Sequence, residues 1–274
     1  MRARDHTEER MQVKTKLMAI DVGNTNMVFG LFEGEQLVGN FRLKTDANRT
    51  SDEIGLLACD YFRHFGWETD KVEDVIIASV VPQVMYSLSS AVIKYFGHEP
   101  YIVDGNIDPG LPYGVSGDER LGPDRSVACV AAMEKYGKPI IVLDFGTATT
   151  VDAVDSQGRY MGGCITTGLR LTMDALTKGA AMLPNVDLAL PERILNSTAV
   201  GHIRAGVVGG YIGATEYLIR RAKEELGGGE QVKVVATGGL SRLIADNTDL
   251  IDQVDGQLIL DGLRMIYQRQ VRKA

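Results

Sequence analysis

The patterned part of the chain opens with an apolar segment that runs into a polar turn. Residues 17–21, LMAID, are typical of a buried strand, and VGNTN continues from its end as a tight polar turn. The following segment, MVFGLFEGEQLVGNFRL, fits two further strands hinged at Gly34. The pattern therefore predicts a strand followed directly by a β-hairpin.

Helical periodicity begins where this hairpin ends. Thr50 and Glu53 have the spacing of a capping box, and apolar residues then recur at helical spacing until Gly66. A continuous apolar run, VIIASVV (75–81), is closed by Pro82 and followed by a second amphipathic stretch. Strands that alternate with helices in this way predict an α/β fold.

The opening unit recurs in the second half of the chain. The segments LMAIDVGNTNMVFGLFEGEQ and IVLDFGTATTVDAVDSQGRY align with Asp21 on Asp144 and Gly23 on Gly146. Both copies end a buried strand in Asp-x-Gly and continue into a hairpin whose turn carries a glycine. A repeat of about half the chain predicts two similar α/β lobes.

The remaining pattern gives the lobe boundary and the elements of the second lobe. A turn-rich stretch ends near residue 120, so we divide the chain into an N-terminal extension, an N-terminal lobe and a C-terminal lobe, at 1–16, 17–120 and 121–274. Periodicity beyond the second copy predicts two helices, a strand and further helices, at 168–178, 199–225, 232–236 and on either side of Gly256.

Composition and charge exclude several classes of protein. The 274 residues are 45% apolar and 24% charged, which is typical of a globular chain and not of a disordered or fibrous one. Acidic residues outnumber basic ones, 36 to 29, and the net charge is -7. Because no cluster of Lys and Arg could neutralise a phosphate backbone, we expect no nucleic-acid partner.

Cysteine usage and the first residues indicate the compartment. Cys59, Cys129 and Cys164 are odd in number and far apart, which favours a reducing cytosol over disulfides or a zinc site. The first sixteen residues lack the apolar core of a signal peptide, and nowhere do eighteen apolar residues run together. We therefore expect a cytoplasmic protein that does not associate with membranes.

The two Asp-x-Gly loops are the first candidates for chemistry. Each offers a carboxylate at a strand end, a glycine that lets backbone approach a ligand, and small polar side chains, as phosphate and a hydrated cation require. An ordinary hairpin turn explains the first loop alone equally well. Two such loops in two lobes are expected to face each other across a cleft.

Two later segments are further candidates. Thr237-Gly238-Gly239 follows an apolar strand, where backbone can contact an anionic ligand or can simply permit a helix to start. Asp124 and Arg125, after Gly122-Pro123, could supply a general base and a fork for an anionic substrate. The alternative for this second segment is an ordinary first helical turn, with proline at N1 and an acid near the helix dipole.

Other catalytic signatures are missing from the sequence. There is no GxxxxGK[ST] and no GxGxxG after a strand, and the letters DFG at 144–146 lack the other parts of a protein kinase. The four histidines are scattered, and Gly-x-Ser-x-Gly does not occur. A P-loop enzyme, a Rossmann dinucleotide enzyme, a serine hydrolase and a zinc enzyme are thus unsupported.

The duplicated lobe, the paired Asp-x-Gly loops and the late Thr-Gly-Gly resemble the superfamily of acetate and sugar kinases, heat-shock chaperones and actin. The ordered set of motifs is similar to the type III pantothenate kinases. Those motifs are IDVGNTN, ASVVP (78–82), GPDR (122–125), LDFGTATTVD (143–152), GGCITTGL (162–169), AAMLP (180–184), ATGGL (236–240) and LILDGL (258–263). The resemblance implies an α/β fold of two RNase H-like lobes with mixed sheets flanked by helices, the actin-like ATPase superfold.

The resemblance also implies an activity and its requirements. It implies ATP-dependent phosphorylation of pantothenate to 4'-phosphopantothenate, the first step of coenzyme A biosynthesis, in a homodimer that uses Mg²⁺ or another divalent cation and K⁺ or NH₄⁺. Two alternatives stay open: another small-molecule kinase of the same superfold, and an ATP-binding regulator without catalysis. Asp124 and Arg125 argue against the regulator.

Residue roles follow from the same resemblance. Asp124 is implied as the carboxylate beside the pantothenate hydroxyl, Asp144 as a ligand of the monovalent cation, and Asp21 as a ligand of the divalent cation through water. The implied pantothenate-binding residues are Gly122, Pro123, Asp124, Arg125, Tyr113 and, across the dimer, Thr198. The implied ATP-binding and phosphate-binding residues are Asp21, Val22, Gly23, Asn24, Thr25, Asn26, Gly146, Thr147, Thr149, Gly238 and Gly239.

Overall fold

The structure, a computed structural model, describes residues 16–115, 121–227 and 231–270. The predicted N-terminal extension, apart from Lys16, lies outside the described residues, and so does the predicted lobe boundary at residue 120. The division of the chain into 17–120 and 121–274 therefore stays a prediction.

The first half folds much as its pattern predicts. Its strands are β1 (Lys16–Val22), β2 (Asn26–Glu33), β3 (Gln36–Lys44), β4 (Asp74–Ser79) and β5 (Tyr101–Ile102), and its helices are α1 (Ser51–Phe65) and α2 (Pro82–Phe96), with a short 3₁₀ turn at Thr69–Lys71. The capping box is present: the Thr50 hydroxyl accepts from Glu53 N at 3.2 Å, and Thr50 N donates to Glu53 Oε2 at 2.8 Å. It starts α1 directly after the hairpin.

The second half repeats the plan with more helices. Its strands are β6 (Ile140–Phe145), β7 (Ala148–Val154), β8 (Tyr160–Thr167), β9 (Lys233–Thr237) and β10 (Gln253–Val254). Its helices are α3 (Pro123–Tyr136), α4 (Leu169–Gly179), α5 (Ala199–Arg204), α6 (Gly210–Glu225), α7 (Ser241–Ala245) and α8 (Leu258–Gln270). The single helix predicted for 199–225 is wrong in one respect, because a π-helical turn at Ala205–Gly209 separates α5 from α6.

The two sheets have the same strand order. The first runs β3-β2-β1-β4-β5 and the second runs β8-β7-β6-β9-β10, with an antiparallel meander on one side and parallel strands on the other. Asp21 pairs with Val28 and Asp144 pairs with Thr150, so the two aspartates hold equivalent places at the ends of the central strands. The predicted duplication of the lobe is confirmed.

One apolar layer lies between the two sheets. It is built from α3 and α8, which pack against the inner faces of both sheets, and its buried residues include Leu17 from the first sheet and Val142 from the second. The two helices approach closely at Gly262, where an added Cβ would lie 2.6 Å from Val127 O. The helix pair α1 and α2 covers the outer face of the first sheet, and α4 to α7 cover that of the second.

Of the helices among the described residues, none is both long and apolar enough to span a membrane.

Candidate active site

The two Asp-x-Gly loops meet in the structure. Each follows a central strand, β1 or β6, and the hydroxyl oxygens Thr25 Oγ1 and Thr147 Oγ1 lie 2.8 Å apart. Gly23 N donates to Asn26 O at 3.0 Å, and Gly146 N donates to Ala148 O at 3.1 Å. The first bond reaches the third residue on and the second bond reaches the second, so the second loop is one residue shorter, and both loops face the space between the lobes.

A cavity of about 720 Å³ opens at this contact. Its volume lies within the range of about 300 to 1,000 Å³ that is typical of small-molecule sites. Many predicted site residues line it: Asp21, Gly23, Asn24, Thr25, Asn26, Asp124, Asp144, Gly146, Thr147, Gly238 and Gly239. The structure thus brings both loops, the Thr-Gly-Gly segment and Asp124 to one place.

Three of the carboxylates that line this cavity, those of Asp21, Asp124 and Asp144, form no salt bridge with any described residue. Burial, and then the charges of Asp124 and Asp144, raise the pKa of Asp21 to about 8. Burial, and then the charges of Asp124 and Asp152, raise the pKa of Asp144 to about 7. Burial also raises the pKa of Asp124 above its ordinary value. The cavity lining holds four aspartates against two arginines, Arg42 and Arg170, and this excess of acid favours cations.

The carboxylates do not form a complete metal site by themselves. Within the described ranges, no three His, Cys, Asp or Glu side chains converge closely enough to hold a metal ion. That is compatible with Mg²⁺, which commonly binds through one or two carboxylates, several waters and the phosphates of a substrate. The donor set therefore fits a cation that enters together with a phosphorylated ligand.

The ligand-free protein should lose stability as the pH rises through the range in which these carboxyls ionise. Folded Asp21 and Asp144 keep their protons up to about pH 8 and about pH 7, whereas unfolded aspartate loses its proton near 3.8. The folded state thus binds more protons between these limits, so the free energy of unfolding falls with rising pH. We expect Tm, followed by circular dichroism, to decrease between about pH 5 and about pH 9.

The matching variant is Asp144→Asn, which removes one of the two titrations. Its Tm should depend less steeply on pH than that of the wild type, and should exceed the wild-type value at the alkaline end. A profile as steep as that of the wild type would contradict this interpretation of Asp144.

Close packing of glycines fixes the floor of the cavity. Gly238 has φ +89°, and an added Cβ would lie 2.4 Å from Asp144 Oδ1 and 2.7 Å from the Phe145 backbone. At Gly168, the N-cap of α4, a Cβ would lie 2.4 Å from both Gly146 O and Thr147 O. Backbone must approach backbone at both positions, and only glycine allows it.

Asp124 enters the cavity from the first turn of α3. Gly122 is the N-cap and Pro123 occupies the first helical position, as the alternative interpretation of this segment expects. Asp124 nevertheless lines the cavity, and its Oδ1 accepts from Arg125 N at 2.8 Å. The helix start and the chemical role are therefore compatible, since the turn places the carboxylate.

Several predicted residues do not line the cavity. Val22 is fully buried in β1. The Thr149 hydroxyl accepts from the Tyr211 hydroxyl at 2.5 Å, and the Tyr113 hydroxyl accepts from Leu121 N at 3.0 Å. Thr198 is an exposed residue that caps α5, with its hydroxyl accepting from Gly201 N. Gly122, Pro123 and Arg125 stand behind Asp124, outside the cavity lining.

Sequence reasoning missed some residues of the cavity wall. Asn40 and Arg42 on β3 line it, as do Arg170 and Asp174 on α4, and Gln257 before α8. A signal existed for Arg42, because it pairs with Val28, which pairs with Asp21, and paired residues share one face of a sheet. Using that signal requires the strand register, which the pattern alone did not supply.

Comparison with known proteins gives the relatives of this chain. Residues 17–221 match the model of the type III pantothenate kinase family. A type III pantothenate kinase of Agathobacter rectalis is 43% identical over 257 residues, which cover 94% of this chain and 98% of that protein.

Solved structures add the fold. MreB 5 of Spiroplasma citri, bound to AMPPNP, has a TM-score of 0.54 and 11% identity over 94% of this chain and 97% of that one. A Sinorhizobium meliloti protein assigned as a 2-dehydro-3-deoxygalactonokinase has a TM-score of 0.61 and 13% identity over 93% and 96% of the two chains. At these identities the likeness concerns the fold alone, and it confirms the predicted actin-like ATPase superfold.

Proposed function

Because this chain belongs to the type III pantothenate kinase family, we propose that the cavity between its two loops holds ATP and pantothenate for phosphoryl transfer. The protein is an ATP-dependent kinase that converts pantothenate to 4'-phosphopantothenate in coenzyme A biosynthesis. The observation that carries the placement is the 2.8 Å contact between Thr25 and Thr147 beside the three carboxylates.

ATP is assigned to the loop side of the cavity. The first loop supplies Gly23, Asn24, Thr25 and Asn26, the second supplies Gly146 and Thr147, and the Thr-Gly-Gly segment supplies Gly238 and Gly239. Backbone N–H groups in such turns form concave sites for phosphate oxygens. Val22 and Thr149 support the loops from beneath, since both are buried.

The cation roles rest on the buried acids. Asp21 is proposed as the residue nearest the divalent cation, through water, and Asp144 as a ligand of K⁺ or NH₄⁺. No described residue forms a salt bridge with either carboxylate. A bound cation would therefore offset the energetic cost of burying their negative charges. When bound, Mg²⁺ or another divalent cation neutralises charge on the transferring phosphoryl group.

The acceptor side is built around α3. Asp124 accepts a hydrogen bond from the primary hydroxyl of pantothenate and orients it for in-line attack. A carboxylate does not need to be a strong base here, because the hydroxyl proton can leave late in a loose transition state. Gly122 and Pro123 set the position of this carboxylate, and Arg125 and Tyr113, outside the cavity lining, are assigned to the part of the acceptor that extends beyond it.

We also propose a homodimer, through which Thr198 reaches the partner's acceptor site. Large apolar side chains lie exposed on the second lobe near Thr198 in sequence: Met182 is 96% exposed, Ile194 65% and Leu195 83%. Exposed apolar residues in this number favour a protein–protein contact.

We assign the protein to the cytoplasm, because the free state of all three cysteines is typical of a reducing compartment.

A coupled assay tests the function directly. Purified protein with pantothenate, ATP and Mg²⁺ should produce ADP and 4'-phosphopantothenate, detected by mass spectrometry, and K⁺ should accelerate the reaction. Replacing pantothenate with sugars or small hydroxy acids should give no comparable turnover. Turnover of one of these instead of pantothenate would overturn the proposal and favour another kinase of the same fold.

Asp144→Asn should weaken the response to the monovalent cation. The neutral amide keeps the size of the side chain and removes the charge that attracts K⁺, so the K⁺ concentration needed for half-maximal activity should rise by about tenfold. Rates are measured against KCl, with choline chloride holding the ionic strength constant. An unchanged K⁺ activation curve would remove Asp144 from this role.

A further inference from the structure

The guanidinium of Arg125 is held by a residue that no assignment above includes. Arg125 Nε donates to Asp152 Oδ2 at 3.0 Å, and Arg125 Nη2 donates to Asp152 Oδ1 at 2.6 Å. The Tyr160 hydroxyl donates to the same Oδ1 at 3.0 Å. Asp152 therefore meets Arg125 through two parallel hydrogen bonds, the geometry that fixes a guanidinium plane most firmly.

This ion pair is buried. The side chain of Asp152 is 2% exposed and that of Arg125 is 16% exposed. A buried carboxylate is costly unless charge and hydrogen bonds compensate it, and here the compensating charge comes from Arg125, with hydrogen bonds from Tyr160 and Thr150 besides. If either partner moved away, the other would remain as an unpaired buried charge. Arg125 therefore has one preferred orientation.

The surroundings are shaped around the pair. At Gly163 on β8, an added Cβ would lie 2.7 Å from Asp152 Oδ1 and 2.8 Å from Arg125 Nη2. Tyr160 also packs its ring edge-on against Tyr113, with centroids 5.6 Å apart. The backbone of β8 thus closes one side, and the tyrosine pair closes another.

The pairing leaves one edge of the guanidinium free. Asp152 takes the edge formed by Nε and Nη2, while Nη1 donates to no acceptor among the described residues. A guanidinium can bind a second anionic or polar group through its remaining N–H donors. Without Asp152, the arginine could instead turn toward Asp124, its neighbour in sequence, whose carboxylate lines the cavity.

We propose that Asp152, assisted by Tyr160, is a positioning residue that aims the free edge of Arg125 at the acceptor substrate and keeps this cation away from Asp124. The inference rests on the proposed function, since it takes Arg125 as a residue that contacts pantothenate. Asp152 itself does not touch the substrate. Its effect should appear in the binding of the acceptor and not in that of ATP.

The test compares four variants by steady-state kinetics. Asp152→Asn should raise KM for pantothenate on the order of tenfold, because one charge-assisted hydrogen bond is lost, while KM for ATP changes less than about twofold. Tyr160→Phe keeps the ring and should raise it by only about two- to threefold. Arg125→Gln and the double variant Arg125→Gln/Asp152→Asn complete a cycle, in which Asp152→Asn should add nothing once Arg125 is gone.

The outcomes separate the inference from the function on which it rests. If Arg125→Gln leaves KM for pantothenate unchanged, the assignment of Arg125 fails. If Arg125→Gln raises it and Asp152→Asn does not, only the positioning role fails. Equal increases of both KM values, or a further increase in the double variant over Arg125→Gln, indicate a purely structural pair and overturn the inference. The double variant buries no unpaired charge, so it remains measurable if Asp152→Asn is unstable.

Discussion

Asp124→Asn should lower kcat by about 10² to 10⁴ while the protein stays folded. Asp124 Oδ1 accepts from Arg125 N at 2.8 Å, and an asparagine oxygen can keep that hydrogen bond. The other oxygen becomes an NH₂ group, which donates and cannot accept from the pantothenate hydroxyl. The loss should therefore fall on turnover, measured by the coupled assay, and not on Tm.

The same substitution should also change how the reaction rate depends on pH. Burial raises the pKa of Asp124, so the wild-type rate should increase with pH on the acid side of its optimum as this carboxyl ionises. Asp174→Asn is the matched control, because it removes one negative charge from the same cavity without touching α3. A kcat within about threefold of the wild type for Asp124→Asn would contradict the orienting role.

Gly238→Ala should lower the catalytic activity by a factor of about 10² or more. Its φ of +89° disfavours any side chain, and the new Cβ would lie 2.4 Å from Asp144 Oδ1. Relief of this overlap must move either the Thr-Gly-Gly segment or the carboxylate, and displacements near 1 Å are costly at a catalytic site. Strain in the backbone should also lower the free energy of unfolding by about 1 to 3 kcal/mol.

Gly239→Ala is the control for this prediction. The next residue along the same segment has no heavy atom within 4 Å of its added Cβ and no positive φ. The kinetics and thermal unfolding of the two alanine variants can therefore be compared directly, since the two substitutions lie at adjacent residues. Similar losses in both variants would show that the segment, and not the approach of Gly238 to Asp144, matters.

The repeated unit explains why so much of the fold was predictable. Two copies of the same strand–turn–hairpin pattern fixed the places of Asp21 and Asp144, and the equivalent strand orders follow from that duplication. The helix start at Thr50 and Glu53 was predictable for a local reason, because a capping box lies within four residues. The capping box is a local signal within one element, and the duplication is visible because one segment repeats another.

What the pattern could not predict depends on tertiary contacts. Arg42 reaches the cavity through the register of three strands, and Asp152 meets Arg125 across 27 positions of sequence. The π-helical turn between α5 and α6 contains Gly206 and Gly209, yet helical spacing continues through it, so periodicity gave no warning. A single sequence contains these residues without indicating which of them meet.

The apolar layer between the sheets bears on how the chain acquires its structure during synthesis. The last described helix, α8, supplies Leu258, Leu263 and Ile266 to a layer that also holds Leu17 and Ala19 near the other end of the chain. A nascent chain emerging from the ribosome therefore exposes part of the inner face of its first sheet until α8 has been made. Loss of α8 would thus damage the lobe that was translated first.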